Sequence, residues 1–351
     1  MPDFADAIRY AQDHEVPWPR DPAADPAKWG VHHDDPPPYN RLRGPVHPRG
    51  GVSGVIRVGG EEVAAWGEPE RADLTFSVAK TYLALLAGVA HGRGLLDPGE
   101  TISSRLPGIG FDDPHNRAIT WAHMLEQTSE WRGTCLGMPD QVEHNRRVAH
   151  DPKPPQGRKG EARPLQRPGS HWEYNDVRIN QLSLALLHLF RQPLPEVFAQ
   201  AVLQPLGAGR DFRWAGYDDA WVDIGGVGVQ SVPGGTHWGA GVSIGARDQA
   251  RIGQLLLDRG MHAGRQLVPA AWVDRMQQPC AIAPFYGWLT WLNRQGGMFA
   301  DASRESWFMV GAGGHYVWLD PKHRAVVVVR WLDPARSPGF VTRVARVLAA
   351  R

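Results

Sequence analysis

Residues 51–67, "GVSGVIRVGGEEVAAWG", alternate apolar and polar positions at Ile56, Val58, Val63 and Ala65 about a Gly-Gly pair, which predicts two strands joined by a tight turn. At residue 77 the period changes. Tyr82, Leu85, Leu86 and Val89 recur at helical spacing, predicting a helix over 77–92 with Asp73 and Thr75 as capping candidates. Further helices are predicted over 3–12, over 119–130, and in "INQLSLALLHLFRQ" and "LPEVFAQAVLQPLG". Beyond residue 210, "GVSIGARDQARIGQLLLDRG" carries a helix, "WLTWLNR", "HYVWLD" and "AVVVVRWL" read as strands, and "VTRVARVLAAR" closes the chain as an amphipathic helix. Strands thus flank a helical middle, the pattern of an α+β body with an all-α insertion. The segments expected are 1–76, a mainly helical 77–209, and 210–351, together one unit.

The composition is globular: 42% hydrophobic and 21% charged over 351 residues, with 40 Gly and 30 Pro that imply many turns. A formal net charge of +1 gives no overall field toward nucleic acid or membrane, so neither is expected as a partner; the oligomeric state is left open. No run of about 18 apolar residues could span a bilayer, and the first 20 residues lack the basic and apolar regions of a signal peptide. A cytoplasmic protein is the expectation. Cys135 and Cys280 form no CxxC or zinc pattern and read as two reduced thiols. In "HHDDPPPYN", His32, His33, Asp34 and Asp35 are adjacent on an extended stretch and point apart, so no metal site is expected. Residues 138–170 are polar and Pro-rich, and 146–167 hold seven Lys or Arg against Asp151 and Glu161; without interleaved aromatics this reads as a solvated loop.

Three pieces of sequence carry candidate chemistry. In Ser77-Val78-Ala79-Lys80 the spacing puts the lysine amine one helical turn from the serine hydroxyl, where a desolvated amine can act as its base; an ordinary helix start gives the same four residues. In "PGSHWEYNDVRIN" Tyr174 opens a helix, and a phenol beside an ammonium can relay protons. In "WFMVGAGGHYVWLDPKHRAVVVVRW" two strands join at Asp320-Pro321, and Gly311, Gly313 and Gly314 let the backbone approach a ligand, as an oxyanion hole requires. A rival serine, Ser243, sits in Gly241-Val242-Ser243-Ile244-Gly245, which matches GxSxG. No apolar strand precedes it, so Ser77 is preferred.

In this order the three pieces resemble the serine β-lactamase and penicillin-binding-protein superfamily, in particular class C β-lactamase-like hydrolases such as family VIII carboxylesterases and 6-aminohexanoate-dimer hydrolases. The resemblance runs from about residue 50 to the C-terminus, through "FSVAK", "GLLDPGETISSRLPG", "ITWAHMLEQTSEW", "WEYND", "GVSIGARDQARIGQLLLDRG" and "GGHYVWLDP". It implies a β-lactamase-like α+β fold, an antiparallel sheet flanked by helices. It implies Ser77 as nucleophile, Lys80 as its base and Tyr174 as a second acid/base, with Asp176 where relatives often carry asparagine. Met309-Val310-Gly311 falls at the Lys-Thr-Gly motif. The backbone amides of Ser77 and Ala312 would then hold the oxyanion, with Gly313 or Gly314 as alternative donors. Trp172, His237, Gly311, Gly313 and His315, beside the motifs, are the candidate substrate contacts, with Asp176. No cofactor or metal is implied.

Two departures shape the expected activity. Met309 and Val310 cannot grip a substrate carboxylate as Lys and Thr do, which points to small-molecule esters, or amides, lacking that group. Glu130 stands where relatives carry the glycine of Thr-Ser-Gly. The expected function is carboxylic-ester hydrolysis through an acyl-enzyme; the alternatives are amide hydrolysis, weak β-lactamase activity, or a non-catalytic binding role.

Overall fold

The computed structural model describes residues 3–153 and 156–351; Pro154 and Pro155, inside the predicted 138–170 loop, lie outside the described residues. Six strands form one antiparallel sheet: β1 (Ser53–Val58), β2 (Glu61–Trp66), β3 (Trp291–Leu292), β4 (Trp307–Gly311), β5 (His315–Asp320) and β6 (Ala325–Arg330). Their spatial order is β3-β4-β5-β6-β1-β2, so the N-terminal hairpin completes a sheet built mostly by the C-terminal third. Gly59 and Gly60 turn the β1–β2 hairpin with φ of 62° and 91°, the left-handed pair that glycine adopts without a Cβ clash.

The helices that follow the chain are α1 (Ala5–Gln12), α2 (Ala79–Gly92), α3 (Asp176–Phe190), α4 (Ala246–Leu257) and α5 (Ser337–Ala349). The unbroken valine run of β6 has a physical cause: both faces of the sheet are covered. Helix α4 lies on one face, so close that a Cβ at Gly253 would sit 2.6 Å from Val326. Helix α5 lies on the other, where Phe340 and Val341 meet Trp318, Val327 and Val329. Alternate valines therefore point to opposite helices, and all six residues of β6 are buried. The amphipathic α1 packs on α5.

Helix α2 is enclosed on every side, with Ala79 through Ala90 all buried, rather than presenting one apolar face. It starts after a 3₁₀ turn, Phe76–Val78, and the predicted caps do other work. Thr75 Oγ1 donates to the Val242 carbonyl at 3.2 Å, and Asp73 accepts from Gly50 N–H at 3.2 Å and Trp331 Nε1 at 2.8 Å. The predicted 119–130 helix is only Trp121–Leu125, because Gln127 and Glu130 take left-handed φ of 57° and 48°. A second, three-stranded sheet has Gly241–Ile244 at its centre between Asp73–Leu74 and Arg213–Ala215. Ser243 thus pairs with Leu74 and Arg213 in mid-strand and sits on no strand-to-helix elbow. Cys135 and Cys280 are both free and buried.

Candidate active site

Ser77 sits at the seam between the sheet and the enclosed helix α2. The residue before it, Phe76, holds a left-handed φ of 51°, which costs a non-glycine residue on the order of 1 kcal/mol. Its ring is clamped among Trp18, Trp29, His315 and Trp331, with centroids 5.4 to 6.0 Å away. Aromatic packing thus fixes the kink that turns Ser77 out of the core.

Lys80 Nζ donates to Ser77 Oγ at 2.8 Å, and Lys80 is 1% exposed. Its other contacts come from the start of α3: the ammonium pairs with the Asp176 carboxylate and lies 4.8 Å from the centre of the Tyr174 ring. Asn175 caps α3 by accepting from the Arg178 N–H, and this places Tyr174 and Asp176 on either side of Lys80. Gly235 closes the floor. A Cβ there would sit 3.1 Å from Lys80 Nζ and 3.4 Å from Ser77 Oγ, so even a methyl would crowd both groups.

Behind Lys80 lies a buried charge cluster that the sequence did not disclose. His237 Nδ1 meets Asp176 at 3.1 Å and its Nε2 meets Asp35 at 2.9 Å. Trp238 Nε1 also donates to Asp35, at 2.6 Å. Arg146 pairs with both Glu143 and Asp176, and Lys159 with both Asp35 and Glu143. An unbroken chain thus runs from Ser77 through Lys80, Asp176 and His237 to Asp35. Burial pushes the Asp176 carboxyl up, but Lys80, Arg146 and His237 hold it well below the usual carboxylate range. Burial lowers the His237 imidazole, yet Glu143 and the hydrogen bonds to Asp176 and Asp35 raise it above its ordinary value. Asp35, Glu143 and His237 bring one ligand atom each within 4.8 Å of one another, and the Lys159 ammonium pairs with both carboxylates while Arg146 also pairs with Glu143.

The 138–170 segment is accordingly more than a solvated loop, which corrects the reading of its basic residues. Arg146, Lys159 and Arg163 are ion-paired inward. The anchor for Arg163 is Glu130, fully buried, whose carboxylate accepts from Arg163 at 2.6 and 2.7 Å, from Arg178 at 2.8 Å and from the Gln166 N–H at 2.8 Å. The left-handed φ at Glu130 is the conformation a glycine supplies freely, and here the acid uses the position to fasten the segment.

Strand β4 forms the opposite wall. Gly311 packs against the nucleophile turn so closely that a Cβ would lie 2.3 Å from the Thr75 carbonyl and 3.2 Å from Phe76. Ser77, Tyr174, Trp291, Val310, Gly311 and Ala312 all line a cavity of about 190 Å³. His150, also in its wall, is held to about 4 by burial and is neutral at ordinary pH. Neither it nor Trp291 was marked by the sequence pattern.

Of the remaining sequence candidates, Gly311 and Ala312 face the cleft, and Asp176 and His237 belong to the charge cluster. Three do not reach it. His315 is sealed against Trp331, 4.3 Å between rings, and burial drives it well below its ordinary value. Trp172 lies behind Tyr174, packed on Phe285 and Tyr286 at 4.9 and 5.3 Å. Gly313 turns the β4–β5 hairpin with φ of 75°, close against Trp18 and Trp331.

The sequence model of the family described as Beta-lactamase matches residues 41–348. Among solved structures, a Bacillus anthracis protein assigned as a 6-aminohexanoate-dimer hydrolase aligns at TM-score 0.62 and 16% identity, over 85% of this chain and 79% of that one. A family VIII carboxylesterase aligns at 0.60 and 16%, over 85% and 92%. A D-stereospecific amidohydrolase from Streptomyces sp. aligns at 0.60 and 15%, over 98% of both chains. No curated protein matches the sequence.

Proposed function

The chain belongs to the Beta-lactamase family, and from that premise we propose that it is a serine hydrolase cleaving carboxylic esters through an acyl-enzyme on Ser77. The observation that carries the reading is the buried Lys80 amine donating to Ser77 Oγ at 2.8 Å at the mouth of a cleft shared with Tyr174 and Ala312. Lys80, acting as the neutral amine, takes the proton of Ser77, whose oxygen attacks the ester carbonyl. The backbone amides of Ser77 and Ala312 receive the oxyanion, and Tyr174 delivers a proton to the departing alkoxide. Water then releases the acid by the same steps in reverse.

Val310, which lines the cleft, and the buried Met309 offer no charge to a β-lactam carboxylate, which supports an ester over a β-lactam. Amide hydrolysis is the second reading, favoured by the end-to-end match to an amidohydrolase. Among the described residues no helix is long and apolar enough to cross a membrane. The test is hydrolysis of p-nitrophenyl acetate and butyrate by wild type, Ser77→Ala and Ser243→Ala. Loss in Ser77→Ala alone supports the reading; loss in Ser243→Ala alone overturns it. A matched anilide separates amidase from esterase.

A further inference from the structure

Beside the nucleophile cleft lies a second cavity of about 300 Å³, and the two share Val31, Arg146 and Arg147 in their walls. Lys159 and His237 also line the second cavity, so basic groups surround it; the one acid on the wall is Asp34. Arg146, Lys159 and Lys80 balance the three buried carboxylates Asp35, Glu143 and Asp176. His237 is hydrogen-bonded between Asp176 and Asp35, which leaves Arg147: it is exposed, makes no hydrogen bond or ion pair among the described residues, and lines both cavities. Asn145, two residues before it, is held by the Glu173 carboxylate and by the carbonyls of Arg158 and Glu161, which ties down the backbone that leads to Arg147.

We propose that this second cavity is the binding site for a carboxylate borne by the substrate at its end remote from the scissile carbonyl, with Arg147 as the group that grips it. The clamp missing from β4 is thus replaced from the opposite wall, by a guanidinium on the 138–170 segment. A guanidinium binds a carboxylate in a two-pronged, charge-assisted geometry that a neutral acyl or alcohol chain cannot match. Arg147 lines the wall of the nucleophile cleft as well as that of the second cavity, so the same guanidinium borders the space beside Ser77 and the basic wall. The proposal rests on the hydrolase reading and specifies its substrate class: a monoester or monoamide that keeps a free carboxylate.

The test compares kcat/KM above the buffer blank for p-nitrophenyl hydrogen adipate against p-nitrophenyl hexanoate, and for 4-carboxyphenyl butyrate against phenyl butyrate. The carboxylate should be favoured in one of the two pairs by about tenfold or more. That ratio should collapse toward one in Arg147→Ala, return in part in Arg147→Lys, and shrink in high salt. No preference in either pair, or a preference that survives Arg147→Ala, overturns the proposal. If wild type hydrolyses no ester, the hydrolase reading fails on its own, and calorimetry of adipate with Ser77→Ala, with and without Arg147→Ala, still decides the site: binding lost with Arg147 supports it, and no binding overturns it.

Discussion

Replacing Glu130 by glutamine removes one charge from a fully buried site and leaves its shape almost unchanged. Burial alone would raise the Glu130 carboxyl, but Arg163, Arg178 and the Gln166 amide together hold it at about 2, against an ordinary 4.5. Each tenfold of proton affinity is ~1.4 kcal/mol, so the ionised carboxylate stabilises the fold by on the order of 3 kcal/mol at neutral pH. Breaking a buried pair by removing one partner costs about 3–5 kcal/mol, the same range. The low end applies here, because Arg178 keeps Asp140 at 2.7 Å. Because the folded-state value is depressed, this stability is fully present above about pH 4.5 and is lost as pH falls toward 2. Denaturant unfolding of wild type and Glu130→Gln should therefore differ by about 3 kcal/mol at pH 7 and by roughly half of that or less at pH 3. Equal midpoints at pH 7, or a gap that does not change with pH, would refute the assignment of Glu130 as the charged anchor of the 138–170 segment.

Gly235→Ala places a methyl 3.1 Å from Lys80 Nζ and 3.4 Å from Ser77 Oγ, and should cut kcat by about a hundredfold with circular dichroism unchanged. Lys80→Ala and Tyr174→Phe should each lower kcat by about a hundredfold or more, and a near-wild-type rate in either removes that residue from the mechanism. His237→Ala unties Asp176 from Asp35; kcat should fall about tenfold while KM stays nearly constant, whereas a loss of melting temperature with full kcat would make the histidine purely structural. Nitrocefin turnover should be at least about a hundredfold slower than ester turnover, since Val310 offers its carboxylate no charge.

What was legible in the sequence was what local periodicity and motif order encode. The β1–β2 hairpin, the valine strand, the terminal helix and the Ser77–Lys80 spacing all follow from side chains within one or two turns of each other. The misreadings share a cause. Thr75 and Asp73 are capping candidates by local pattern, yet each is bound by a partner far along the chain, Val242 and Trp331. His315 adjoins the motif but points into a core made by Phe76 and Trp331, since strand alternation sends neighbours to opposite faces. The helix at 119–130 stops early because two residues take left-handed conformations that propensity does not register.

The charge cluster was hidden for a deeper reason. Its members come from four distant stretches around residues 35, 143–159, 176 and 237, each of which alone looks like solvated polar sequence. Only a fold that buries them together turns each into the other's counterion, because an unpaired charge there would cost several kcal/mol. The departures from the family pattern then share one logic. An acid at 176 in place of asparagine demands buried cations, and Arg146 supplies one of them. An acid at 130 in place of glycine fastens, through Arg163, the segment that carries Arg146. The two acids and the basic 138–170 segment are therefore one device: the ion pairs that hold the segment down also set the electrostatics of Lys80. A variant that restored glycine at 130 would unfasten the segment and, with it, weaken the hold on Asp176.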